Sequence, residues 1–135
     1  MRKELKKHIN QMNAQEIMTV VNMVESSKKN IDPVTLDVSG HCLDMMKKRL
    51  GVVNKDVLLD VLAHYEVVEY KQVFDGHYMI DKRVVLRSSK AYDNYNYCVV
   101  FSVMRNSIIT YWKNKTYNTH KNVDLTKYTT NMKVY

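Results

Sequence analysis

At 135 residues the chain has the length of one domain and enough material to bury a core. A hydrophobic share of 45%, with one Pro and three Gly, excludes disordered, collagen-like and linker-rich classes. Lys and Arg outnumber Asp and Glu by 21 to 14, a formal net charge of +7 that favours polyanionic partners or, alternatively, serves solubility alone.

The N-terminus from Arg2 to Lys7 is charged, with no apolar stretch after it, so it does not read as a secretory signal. No apolar run approaches the roughly 20 residues that span a bilayer. The expectation is a cytoplasmic protein that does not enter a membrane. Cys42 and Cys98 lie far apart in sequence and read as two buried free thiols in a reducing compartment, with one disulfide as the alternative.

In chain order, Arg2 to Asn10 is basic and reads as a short helix. Asn13-Ala14-Gln15-Glu16 is a capping-box pattern. Ile17, Val20, Val21 and Val24 follow at helical spacing and predict a helix from Ala14 to Glu25 with one apolar face. Ser26 to Pro33 reads as a loop. Leu43, Met46 and Leu50 predict a second helix from His41 to Leu50, ended by Gly51. Asn54 caps a third, to Ala63, whose stripe is Val57, Leu58, Val61 and Leu62.

After Tyr65 the period changes. Glu66 to Val73 alternates and is rich in β-branched and aromatic residues. Asp75-Gly76 is a hairpin signal. Val84 to Arg87 and Tyr95 to Met104 read as strands with Asp93-Asn94 as a turn between them. Arg105-Asn106-Ser107 leads into a last strand, Ile108 to Lys113. Asn114 to Tyr135 is polar and weakly patterned. Helices first and strands afterwards predict an α+β fold: N-terminal helices packed on one face of an antiparallel sheet of about four strands. The organisation is one domain over 1–135, with a helical extension over 1–35 and a core over 36–128.

No Gly-rich phosphate loop, no Cys or His pair at zinc spacing and no nucleophile elbow is present. Neither a metal nor a cofactor is expected. What the chain offers is imidazole, guanidinium and hydroxyl groups. His41 opens a helix, and Arg49 follows about 12 Å along it, so both can line one anionic groove. Arg83, Val85 and Arg87 share one strand face and Val84 and Leu86 the other, which should meet the helices. On the last strand, period two places Ile108, Thr110 and Trp112 on one face, with Ile109 and Tyr111 on the opposite one. Each of these also has a plain structural reading: a surface histidine, a solvated strand arginine, core aromatics. The ten tyrosines include Tyr92, Tyr95 and Tyr97 before the long strand, where aromatic rings near lysines suit base stacking.

The stretch Ser39-Gly40-His41 through Arg49 to Val68-Glu69-Tyr70 resembles the helical entry of the barnase/EndoU/colicin/RelE-like ribonuclease superfamily. In that pattern a His leads a helix that ends in an Arg, a second helix follows, and then a strand. Phage RegB-type endoribonucleases look similar here. Arg83-Val84-Val85-Leu86-Arg87 resembles the family's next strand. Ile108-Ile109-Thr110-Tyr111-Trp112-Lys113-Asn114, with His120 and Leu125 after it, is similar to the closing strand and tail of polymorphic-toxin domains. The resemblance covers about Leu36 to Tyr128 and implies a metal-independent ribonuclease, of toxin or phage type, acting on RNA.

On that reading His41 is general base or acid, and Arg87 clamps the phosphate. Thr110 and Tyr111 donate hydrogen bonds near the scissile group, and His120 is a reserve acid. Arg49, Arg83, Trp112 and Lys113 hold the RNA. The alternative is a non-catalytic RNA-binding or inhibitor-like protein-interaction module on the same scaffold, with a protein inhibitor or host protein as the second class of partner.

Overall fold

The computed structural model describes residues 2–30, 55–91, 94–116, 127–129 and 132–135. Among them are two α-helices, α1 (Ala14–Lys28) and α2 (Lys55–Ala63), and five strands: β1 (Arg2–His8), β2 (Tyr65–Asp75), β3 (Tyr78–Ser88), β4 (Tyr95–Ser102) and β5 (Ser107–Lys115). The strands form one antiparallel sheet in the order β1-β2-β3-β4-β5. The fold is α+β, with five strands where four are expected. The predicted helix His41–Leu50, the caps Gly51 and Asn54, and Cys42 and Asp93 lie outside the described residues.

The additional strand is β1, the segment read as a basic helix. Lys, Arg, Glu and Leu are good helix formers, but here tertiary pairing overrides propensity. All seven residues from Arg2 to His8 pair with β2 in a continuous register. Its lysines suit an edge strand, where charge discourages pairing with foreign strands. Leu5 packs into the helix-side core. Lys7 is buried and donates to Glu16 Oε2 at 2.7 Å, which offsets the cost of a buried ammonium.

Glu16 also closes the start of α1. Asn13 Oδ1 accepts from Glu16 N at 2.8 Å, and Glu16 Oε1 accepts from Asn13 N at 3.1 Å, the expected capping box. Asn13→Ala should therefore cost about 1 kcal/mol in denaturant unfolding. The Lys7 hydrogen bond, then Asn13, hold the Glu16 carboxyl below its ordinary value of 4.5. Its stabilisation is present above that value and is lost as pH falls through the lowered one.

Val20 and Val24 of α1 and Leu58, Val61 and Leu62 of α2 meet Tyr70, Val84, Leu86, Tyr97, Val99, Phe101, Ile108 and Tyr111 in one core on a single face of the sheet. The α1 helix runs to Lys28 rather than Glu25, and its last turn is anchored. Lys28 Nζ donates to Leu62 O at 2.8 Å and pairs with Glu25, which in turn accepts from Tyr65 OH at 2.9 Å. The second face carries a smaller apolar cluster: Val68, Val85 and Val100, with Ile109 and Trp112 against it.

Two β-bulges shape this second face. Between Val67 and Glu69, residue 68 is extra in β2. Opposite Val100/Phe101, residue 109 is extra in β5. A bulge breaks the two-residue period and increases local twist. Both extra side chains, Val68 and Ile109, turn to the second face. The turns use left-handed backbone where expected: Gly76 (φ 62°) in the β2–β3 hairpin, Asn94 (φ 68°) and Asn106 (φ 51°).

The C-terminal segment, weakly patterned in sequence, is tied to the sheet. Thr129 N donates to Lys6 O at 2.6 Å, Gln72 Nε2 to Lys133 O at 2.8 Å and Tyr70 OH to Tyr135 O at 2.9 Å. Met132 is buried in the helix-side core.

Candidate functional site

The register across the second face fixes which side chains are neighbours. Arg87 stands opposite Cys98, and Cys98 opposite Trp112. In the adjacent row are Val85, Val100 and Thr110, and one row further on Arg83 stands opposite Ser102. By a strand spacing of about 4.8 Å and a rise of about 3.4 Å, Arg87 and Thr110 are about 12 Å apart at Cα, on the same face.

Arg87 is buried, and the strands hold its guanidinium in place. Nη2 donates to Asn96 Oδ1 at 2.8 Å and to Thr116 O at 3.0 Å, and Nη1 lies 4.0 Å from Glu66 Oε2. Its Nε has no hydrogen-bond partner among the described residues. A buried donor without a partner is costly, and the two bonds from Nη2 are what hold the group in place. Asn96 is itself fixed, donating from Nδ2 to Ser88 O at 2.8 Å. An asparagine inside a strand, here the second residue of β4, is the one sequence signal that points to this support.

Arg83, on the same face, is half-buried and already committed: its Nε donates to Asp81 Oδ2 at 2.8 Å. Asp81 is fully buried and also accepts from Lys82 N at 2.8 Å and Ser102 Oγ at 2.7 Å.

The predicted set divides between the faces. Arg83, Arg87, Thr110 and Trp112 share the second face. Tyr111 does not: it lies in the helix-side core at 1% exposure, stacked on Tyr97 at 6.1 Å. Lys113 is also on that side, 5.6 Å from the Tyr95 ring and 5.9 Å from the Tyr97 ring. That separation from Thr110 and Trp112 is the ordinary alternation of β5 from Thr110 onward. The bulge at residue 109 changes only the start of the strand: it puts Ile109 with Thr110 and Trp112, and returns Ile108 to the helix side with Tyr111. His41, Arg49 and His120 lie outside the described residues.

Cys98, next to Arg87, is a free, fully buried thiol. Burial pushes it up to about 12 from an ordinary 9.0, against the opposing pull of the Arg87 charge. At pH 8 it is a thiol, not a nucleophile. In a Cys42→Ser background, iodoacetamide should label Cys98 only after denaturant is added; labelling of the native protein within minutes would contradict this burial.

Sequence reasoning also misses a group at the β1–β2 end of the second face. Tyr128 OH donates to Glu69 Oε1 at 3.3 Å, its ring meets His8 edge-on at 5.3 Å, and Lys6 Nζ lies 4.9 Å from it. Burial, then the Glu69 charge, push the phenol up to about 12. His8 Nδ1 accepts from Asn10 N at 3.1 Å and caps the short 3-10 turn that follows β1. These contacts bind the C-terminal segment to β1 and β2.

No family model, curated protein or solved structure matches the chain. Among the described residues, no three His, Cys, Asp or Glu gather to hold a metal ion, and no helix is long and apolar enough to cross a membrane.

Proposed function

We propose that the chain is a metal-independent endoribonuclease that cleaves single-stranded RNA by attack of a 2′-OH on the adjacent phosphate. The observation that carries this reading is the guanidinium of Arg87, fixed by Asn96 and Thr116. It shares a face with the Thr110 hydroxyl and the Trp112 indole. A preorganised cation of this kind stabilises a phosphorane without having to reorganise. The charge of +7 and the resemblance of the His41–Arg49 and Arg83–Arg87 stretches to ribonucleases support the same reading.

In the proposed reaction His41 takes the proton from the 2′-OH. The 2′-oxygen bonds to phosphorus while the bond to the 5′-oxygen breaks. A protonated imidazole, His120 in reserve, returns a proton to the leaving 5′-oxygen, and a 2′,3′-cyclic phosphate remains. Tyr111 is left out of this scheme, because it lies in the core. That loss of a donor favours, as the second reading, an RNA-binding module without cleavage. The two are separated by incubating labelled single-stranded RNA with the protein in EDTA, and by measuring affinity against salt. Both readings expect affinity to fall steeply as salt rises, and only the first expects cleavage.

A further inference from the structure

On the helix side, α1 and the β4–β5 turn enclose an open groove of about 570 Å³, within the range of small-molecule sites. Its walls are the side-chain amides of Asn22, Asn30 and Asn106 and the hydroxyls of Thr19, Ser26 and Ser27; Met23 and Val103 supply the apolar part. Among the described residues its lining is neutral. Amides and hydroxyls beside a thioether suit a flat, neutral, hydrogen-bonding ring.

Ser27 Oγ lies 2.9 Å from Val103 O and 2.5 Å from Asn106 Oδ1. Its single proton goes to one or the other, and either bond ties the last turn of α1 to the β4–β5 turn. Asn106 has left-handed backbone there, so its amide is positioned by the turn as well as by Ser27. Asn22, Ser26 and Asn30 follow one another four residues apart and are exposed along the groove.

We infer that this groove is a nucleobase subsite, with adenine its best match. An asparagine amide offers the donor and acceptor that pair with adenine N7 and N6, and single-stranded RNA is read by hydrogen bonds to such base edges. The inference rests on the ribonuclease reading for the source of the base. The two sites lie on opposite faces of the sheet: β4 passes from Cys98, opposite Arg87, to Ser102, and Val103 of the groove comes next, about 17 Å along the strand. An RNA strand joining them therefore has to pass round the β4–β5 end of the sheet.

The test is an NMR titration of the full chain with adenosine, which carries no phosphate, and with uridine for comparison. Adenosine should shift resonances of Thr19 to Asn30 and Val103 to Asn106 and bind more tightly than uridine. The double variant Asn22→Ala/Asn106→Gly, whose glycine accepts the left-handed turn, should weaken adenosine about tenfold. It should leave the salt-dependent affinity for oligouridine unchanged and reduce any preference for oligoadenosine. Adenosine shifts that are absent at millimolar concentration, that map elsewhere, or that survive the double variant overturn the subsite. Failure of the ribonuclease reading shows separately, as absent cleavage of any RNA by the unmodified chain, and leaves the nucleoside titration interpretable.

Discussion

His41→Ala is expected to slow RNA cleavage by about two to four orders of magnitude, the range for losing a proton-transfer group. Affinity for RNA should hardly change, because in the proposed reaction the imidazole acts on the 2′-OH proton rather than on the phosphate charge. Arg87→Ala should lower both rate and affinity, because it removes a charge-assisted phosphate contact. It also strands Asn96 Oδ1 and Thr116 O, so unfolding of this variant must be measured beside its activity. Thr110→Val is the cleaner probe of the same face: the side chain is half-buried and keeps its shape on substitution. Single-turnover rates and binding by anisotropy check the set. A His41→Ala protein that cleaves at the parental rate removes His41 from the mechanism.

Asp81→Ala should destabilise the fold by about 3 kcal/mol. The carboxylate has no exposure and three partners: the Arg83 guanidinium, the Ser102 hydroxyl and the Lys82 amide. Removing it leaves a half-buried cation unpaired and a buried hydroxyl without its acceptor, and such orphaned groups lose far more than a surface pair does. Ser102 also accepts from Arg105 N at 3.2 Å, so the β4–β5 turn should loosen with it. Urea unfolding is the check. A loss below about 1 kcal/mol would mean that water replaces Asp81 easily.

The helix-side core was legible because its signals are local. The stripe of Val20 and Val24, that of Leu58, Val61 and Leu62, and the Asn13–Glu16 box all appear where periodicity puts them. So do the opposed faces of β3, with Val84 and Leu86 inward and Arg83 and Arg87 on the other side. The strand β1 was not legible, since Arg2 to His8 has helical composition and becomes a strand only by pairing with residues about 65 positions away. The start of the predicted β5 pattern, Ile108 and Ile109, failed for a related reason. A bulge leaves no mark in a run such as Ile108-Ile109-Thr110-Tyr111, yet it reverses which face two of those residues occupy. The supports of the site, Asn96 behind Arg87 and Asp81 behind Arg83, appear in the sequence only as polar residues that strands ordinarily avoid.

The most direct measurement is the chemistry of the ends. Single-stranded RNA incubated with the protein in EDTA should yield fragments ending in 2′,3′-cyclic phosphate by mass spectrometry. A substrate carrying a single 2′-deoxy nucleotide at the mapped site should resist cutting there. Fragments ending in 3′-hydroxyl, cleavage that vanishes in EDTA, or cutting at the 2′-deoxy position would each contradict a metal-independent reaction through the 2′-OH.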